Sequence, residues 1–471
     1  MTDTPIPVPV PAPLPVRSRV SLEFTAGPDR EGPMAWGQAK LHRELQDHPD
    51  DRYLAFLPLL LPVPPGRTVD TVLHALRTIM SCYESLRTVY PVHGRQSVSG
   101  TVRLSVHLVD TDDREAAATA TRNLREELRS AVFDTARELP LRAGIVTEAG
   151  HPSHLVLVLS HMAVDGLALQ IVEDHLTALL TGGAFTLRGL DRAAQPLDLA
   201  RDQASPVGLS RGARALAQWE DAYRRTPPAM FATAHAEATA APVYWEGFMT
   251  SRRIAEATRT ISERTGAGRS TVVLAAVEAV FAARTGVGRT GITSISANRA
   301  SPSTAAAVTT LAQDALIVVD TAEAHSFDHL IGLNRQDAQR AYRYSPVDPA
   351  AQREVRERID AERGTPFTRD LVYNDMSAYP TATGPVPPGL GTGERADIRV
   401  EAATFMPVHA YVTVYRMDET AEITLWADGR TLEPRDIVSW LRAVEAVLVS
   451  AADQDLPAHV LDGLCSGGRP V

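Results

Sequence analysis

HLVLVLSHMAVDG, residues 154–166, is the stretch on which the reading of this chain turns. Residues 154–160 form a short β-prone run that predicts a buried strand. From residue 167 to 180 the spacing changes: Leu167, Ile171, Val172, Leu176 and Leu179 fall on one side of a helix. Residues 161–166 are then the turn from strand to helix. Side chains at such a strand end can project into a crevice while the sheet holds their backbone rigid, which singles out His161, Asp165 and Gly166. An imidazole exchanges protons near neutral pH, so His161 can take one from an attacking nucleophile. The charge of Asp165 needs a partner inside a packed turn, and an arginine from elsewhere in the chain is expected to supply it.

Outward from that turn, the chain reads as mixed α/β. Residues 70–90 place Val72, Leu73, Leu76, Ile79, Met80, Tyr83 and Leu86 at helical spacing, and 114–132 repeats Leu124, Leu128 and Val132, with an alternating strand at 102–109 between them. Between residues 182 and 208 Gly, Pro, Asp and Ala dissolve the pattern into a linker, followed by a helix carrying 217–225. Further on, 270–284 is apolar on nearly every face, with Ser270 as its N-cap. Strands are expected at 291–296 and 315–319, a Pro/Gly/Thr-rich loop at 378–393, a hairpin from 411–415 and 422–426, and a closing helix at 434–448 with Pro in its first turn. There is no internal repeat. A chain of 471 residues exceeds what one core supports, so two units of roughly 200 residues each are expected.

Composition removes several function classes. A net charge of −10 and the lack of any basic run oppose nucleic-acid binding. The longest apolar stretch, 53–63, is broken by Pro58 and Pro62 and falls short of the roughly 20 residues of a spanning helix, so no membrane span is expected. The opening MTDTPIPVPVPAPLPV lacks the features of a secretion signal and reads as an extended, Pro-rich, disordered tail over residues 1–17, which points to the cytoplasm. The two cysteines, Cys82 and Cys465, match no disulfide, metal or redox spacing, and Cys82 falls in an amphipathic pattern as a core residue. Of 47 basic residues only Lys40 is a lysine, so amine-nucleophile chemistry would have to pass through that one side chain.

No GxSxG elbow, Walker loop or HExxH is present. No metal is expected, because His161 and Asp165 offer two ligands with no Cys, His or Glu cluster beside them, and helix phase scatters His151, His154 and His175. HxxxDG alone recurs by chance, and order along the chain carries more weight.

In order, the chain has MAWGQAKL (34–41, with Trp36 and Gln38), CYESLRTVY (82–90), ELPLRAGIV (138–146), LSHMAVDG (159–166), ALAQWEDAYRR (215–225), SISANRA (294–300), LAQDALIVVD (311–320) and TPFTRDLVYNDM (365–376, with Asn374). These resemble, segment by segment over most of residues 33–430, the condensation domains of nonribosomal peptide synthetases in the chloramphenicol acetyltransferase-like superfamily, whose HHxxxDG motif follows a strand. Ser160 stands where that motif has its first histidine. RQDAQRAYRYSP (335–346) reproduces the family's HQDYPFE-like segment poorly. The SANR form is similar to an actinobacterial branch of free-standing members.

The resemblance implies two acetyltransferase-like α/β sandwich subdomains in a V-shaped pseudo-dimer around a central tunnel. On that basis residues 18–182 would form the N-terminal subdomain, 183–245 the linker and crossover helix, and 246–471 the C-terminal subdomain. It implies His161 as the catalytic residue, Asp165 as structural with Arg299 as its partner beside Gly166, and Ser160, Asn374 and Trp36 as tunnel residues, core packing being the alternative for Trp36. The implied activity is natural-product acyl transfer from a phosphopantetheine thioester, on an acyl or peptidyl carrier protein acting in trans or on coenzyme A. The acceptor would be an amine or hydroxyl, carrier-bound or a small molecule, giving an amide or ester without a tightly bound cofactor. A noncatalytic scaffold that recruits carrier proteins is the alternative, and epimerisation or cyclisation ranks below both.

Overall fold

A strand over His151–Ser160, β8 in chain order, explains the unbroken apolar run at residues 154–160. The computed structural model describes residues 18–49, 55–182, 193–231, 244–378 and 395–466. Leu155, Leu157 and Leu159 enter one core, against helices Val69–Cys82 and Gly166–Thr181, while Val156 and Val158 enter another, against helix Arg114–Leu128. A strand covered on both faces has no wet side to alternate with, so its sequence is apolar throughout.

The chain divides into two compact units, Met1–Ala204 with Arg299–Leu311, and Ser205–Asn298 with Ala312–Val471. Both are mixed α/β. The first unit holds β1 (Ser18–Thr25), β2 (Arg30–Pro33), β3 (Phe56–Pro62), β4 (Thr88–Val89), β5 (Arg95–Val98), β6 (Thr101–Thr111), β7 (Leu141–Glu148) and β8. Its main sheet runs β1-β6-β7-β8-β3, with β6 and β7 parallel across helix Arg114–Leu128 and the other neighbours antiparallel; β2-β5-β4 form a small antiparallel sheet. The edge strand β3 carries Pro58 and Pro62, which remove backbone donors.

The second unit holds β9 (Tyr244–Ser251), β10 (Thr290–Ser296), β11 (Gln313–Val319), β12 (Leu371–Asp375), β13 (Asp397–Ala403), β14 (Ala410–Met417) and β15 (Ala421–Asp428). They form one sheet, β11-β10-β12-β14-β15-β9-β13, with parallel pairs β10/β12 and β12/β14. The hairpin β14/β15 and helix Pro434–Ser450, with Pro at its first position, contain the elements expected there.

Several boundaries depart from the sequence reading. The helix expected over 70–90 stops at Cys82, Tyr83 is extended, and Glu84–Arg87 is a 3-10 turn. Arg87 accounts for the stop: its guanidinium is buried, donating to Met80 O and Ser99 O, which holds the chain in a sharp return. The helix expected over 114–132 ends at Leu128, where Arg142 donates to Leu128 O and Ala131 O. Helix Arg269–Thr285 is capped by Gly268 rather than Ser270. The expected linker contains helix Pro196–Gln203, and the helix carrying 217–225 spans Pro206–Arg225 from a Ser205 cap, so it begins inside the expected linker. Arg299–Leu311, expected in the C-terminal subdomain, packs with the first unit because Ala307, Val308 and Leu311 are buried in its cores. Cys82 is only partly buried at the core's margin. The Pro-rich tail and residues 379–393 of the expected loop lie outside the described residues, among which no single helix is long and apolar enough to cross a membrane.

Helix Arg269–Thr285 hides one carboxyl. Glu278 is wholly buried, accepts from Thr290 Oγ1, and is pushed up to about 7, chiefly by burial. An acid whose value is raised by folding favours the fold fully below its unfolded value, and that contribution fades as pH climbs to the folded one. Here the window runs from 4.5 to about 7 and corresponds to about 3 kcal/mol. Glu278→Gln is therefore expected to raise stability at pH 8 by up to that amount and to leave it nearly unchanged at pH 4, as read by urea unfolding at both pH values.

Candidate functional site

The turn after β8 is built in layers. Ser160 ends the strand, buried, with its Oγ accepting from Met162 N at 3.3 Å, and Ala163 N donates to Ser160 O at 2.9 Å. Three buried apolar residues, Met162, Ala163 and Val164, anchor the turn beneath His161. Gly166 is the first residue of helix Gly166–Thr181, and Asp165 is its N-cap, accepting from Ala168 N at 2.9 Å.

Asp165 is the hub. Its Oδ1 also accepts from Arg299 Nη2 at 2.6 Å and its Oδ2 from Leu311 N at 2.9 Å; both ionic side chains are about 5% exposed or less. Arg299 in turn donates to Thr304 O, Ala307 O and Thr309 O at 2.9, 2.6 and 3.2 Å. The pair expected from the sequence is thus brought together, and it ties segment Arg299–Leu311 to the turn that carries His161. With two main-chain donors and a guanidinium engaged, the carboxylate is committed to holding structure.

His161 is partly accessible. Its Nδ1 is shielded from solvent and has no hydrogen-bond partner on another residue, but the ring's own main-chain carbonyl favours the proton there. Burial is the largest influence and lowers the ring below the ordinary histidine value; its own carbonyl and the charge of Asp165 oppose that, Lys40 adds to it, and Glu44 opposes it. The outcome is a neutral imidazole near pH 7, with Nε2 left as the acceptor nitrogen.

A second polar chain supports the turn from the other side. Tyr90 Oη donates to Met162 O at 3.0 Å, Gln38 Nε2 donates to Tyr90 Oη at 3.0 Å and to Gln96 Oε1 at 3.1 Å, and Gln38 Oε1 accepts from Ala35 N at 2.8 Å. Gln38 and Tyr90 are buried. The sequence singled out Trp36 as a tunnel residue; it opens helix Trp36–Asp47, is only partly buried, and its main-chain N donates to Gln203 Oε1 at 2.9 Å. The signal for Gln38 was a lone polar residue between Gly37 and Ala39 in the segment MAWGQAKL. Gly37 is also required: a Cβ there would stand 2.7 Å from Thr310 O. Asn374 lies in the second unit on β12, partly exposed and opposite Thr413 in register.

Tyr90→Phe removes one hydroxyl and leaves Met162 O and Gln38 Nε2 short of a partner. The variant is expected to lose about 1–3 kcal/mol by thermal unfolding.

Comparison with known proteins follows the same lines. The family model for the condensation domain matches residues 50–375. A protein described as "Probable non-canonical nonribosomal peptide synthetase (NRPS) CymA", from Salinispora arenicola (strain CNS-205), is 34% identical over 129 residues, 26% of this chain. The match spans only 2% of the length of that relative. Among solved structures, the condensation domain that mediates chain release from the enacyloxin polyketide synthase superposes with a TM-score of 0.67 at 19% identity, over 93% of this chain and 83% of that one. SgcC5 from Streptomyces globisporus gives 0.65 at 16% identity, over 90% and 100% of the respective chains. At these identities the structural likeness is one of fold.

Proposed function

Because the condensation-domain model spans residues 50–375, the chain belongs to the condensation-domain family, and from that premise we propose that it moves an acyl or aminoacyl group from a phosphopantetheine thioester to an amine or hydroxyl. The observation that carries this reading is His161: a partly accessible imidazole, lowered below its ordinary value by burial, with Nδ1 shielded and Nε2 without a protein partner among the described residues.

In the proposed reaction the nucleophile's N–H or O–H donates to His161 Nε2. As its lone pair adds to the thioester carbonyl, the proton passes to Nε2; the tetrahedral adduct then collapses, the C–S bond breaks, and the departing thiolate takes the proton back from the imidazolium. Amide or ester and free thiol balance the step, and no metal or resident cofactor is called upon. Asp165 keeps the turn in place and has no part in the proton transfer. The donor arm would belong to a carrier protein, or to coenzyme A.

Intact-mass analysis tests this. Acyl-loaded carrier proteins, and separately acyl-coenzyme A, are incubated with the protein and a pool of amines and alcohols. Loss of the acyl mass from the donor, with a matching amide or ester, is the expected result. Carrier binding without acyl loss across the whole panel would favour the scaffold reading, which the replacement of the first motif histidine by Ser160 motivates.

A further inference from the structure

Residues 226–231, which follow helix Pro206–Arg225, end in an apolar plug set into the core of the second unit. Met230 is buried, with its Sδ accepting from Gly291 N at 3.1 Å, and Phe231 packs on Phe281 and Trp440 with ring centroids 5.3 and 6.0 Å away. One carboxylate holds this plug. Asp370, whose side chain is wholly buried, accepts from Met230 N through Oδ2, and Thr368 Oγ1 lies 2.7 Å from its Oδ1 while Thr368 N donates to Pro228 O at 2.9 Å. Among the described residues His409 is the one ionic partner of Asp370, with Nδ1 2.7 Å from Oδ1. The same ring meets Phe231 edge-on, centroids 6.0 Å apart, and is 38% exposed. The imidazole therefore touches both the plug and the carboxylate that holds it, and its exposed side gives a proton a way in and out. Without the imidazolium, a buried carboxylate is left with neutral donors alone, which is costly.

We propose that His409 and Asp370 form a proton-operated clasp on residues 228–231: the imidazolium fastens Met230 and Phe231 into the core, and the neutral ring lets them loosen. The clasp stands whether or not the chain transfers acyl groups. The charged groups facing the ring are Asp370, just before β12, and Asp428 and Arg430 at the end of β15; residues 404–408 and 226–231 bring none. Asp428 and Arg430 are paired with each other, Arg430 Nε lying 3.0 Å from both carboxylate oxygens, which leaves Asp370 dominant. Its hydrogen bond is the largest influence and raises His409 above the ordinary histidine value; burial opposes this, the charges of Asp370 and Asp428 add to it, and Arg430 opposes it. A histidine raised by folding contributes fully below its unfolded value, 6.5, and that contribution fades as pH climbs through the folded one. The clasp is closed in mild acid and opens toward alkaline pH.

Peroxide oxidation of the full chain tests this, because an accessible thioether is converted to the sulfoxide and a buried one is spared. Peptide mass spectrometry follows Met230 beside Met249, a buried methionine of the same core, across a pH series, with each rate divided by that of free methionine at the same pH. Met230 is expected to oxidise faster as pH rises above 6.5, with Met249 slow throughout. His409→Gln keeps a donor and discards the titration, so it should remove the pH dependence. If that variant fails to fold, Asp370→Asn, which keeps an oxygen for Met230 N and removes the charge, carries the same test. A wild-type Met230 rate that does not change with pH, or a pH dependence that survives in the variant, overturns the clasp. So does equal acceleration of Met249, which would mark opening of the whole core.

Discussion

Replacing His161 with alanine is expected to lower acyl transfer by about 10²–10⁴-fold, the range over which a positioned acid–base group acts, while the melting temperature barely moves. The second half of that expectation follows from the contacts. The ring is partly exposed, and its Nδ1 has no partner on another residue, so truncation strands no hydrogen-bonding group. The turn beneath it is held by Asp165, Met162 O and Ser160, all of which remain. The wild-type rate should fall as pH drops through the ring's lowered value and level off above it, because burial, the dominant influence, disfavours the imidazolium that forms as pH falls. Single-turnover measurement with an acyl-loaded donor separates loss of chemistry from loss of binding, and undiminished turnover in His161→Ala would remove the role assigned to this residue.

The sequence reached the strand, turn and helix of the site because each is specified locally. The apolar run of β8 is covered on both faces, Asp165 caps the helix that follows it, and a charge in that turn demanded an opposite charge. Arg299 was reached through family order along the chain; its spacing from Asp165, 134 residues, carries no local signal. What escaped was set by partners distant in sequence. Gln38 is 52 residues from Tyr90, which is 72 from Met162, and each is an ordinary residue until the three meet. The same holds for the helix that ends at Cys82: its periodicity continues through Leu86, but buried Arg87 finds its acceptors at Met80 O and Ser99 O and bends the chain into a 3-10 turn. Ser270 was a reasonable cap by type, yet the helix begins two residues earlier than a cap at Ser270 allows, at Arg269 after Gly268. Segment Arg299–Leu311 reads as a continuation of the second unit after β10, and only the burial of Ala307, Val308 and Leu311 in the first unit's cores gives it away.

Asp165→Ala is expected to cost about 3–5 kcal/mol of stability, because it leaves the Arg299 guanidinium buried without its counter-charge. Three carbonyls, of Thr304, Ala307 and Thr309, would still accept from that guanidinium, but neutral acceptors do not replace a carboxylate at 2.6 Å in a site where both side chains are about 5% exposed or less. The mutation also removes the cap of helix Gly166–Thr181 and the acceptor for Leu311 N. Asp165→Asn should lose less, since an amide oxygen can keep one main-chain donor while the charge is gone. Arg299→Ala should cost a similar amount from the opposite side, and Arg299→Lys should not rescue it, because an ammonium cannot span four acceptors held in a planar fork. The pair lies within one unit, so the loss should appear as earlier unfolding of the turn and of Arg299–Leu311 in hydrogen exchange. Turnover per folded molecule, measured well below the melting temperature, should fall far less in Asp165→Ala than in His161→Ala. An unchanged melting temperature in Asp165→Ala would contradict the buried pair, and a rate loss as deep as that of His161→Ala without any loss of stability would move Asp165 from holding the turn to taking part in the chemistry.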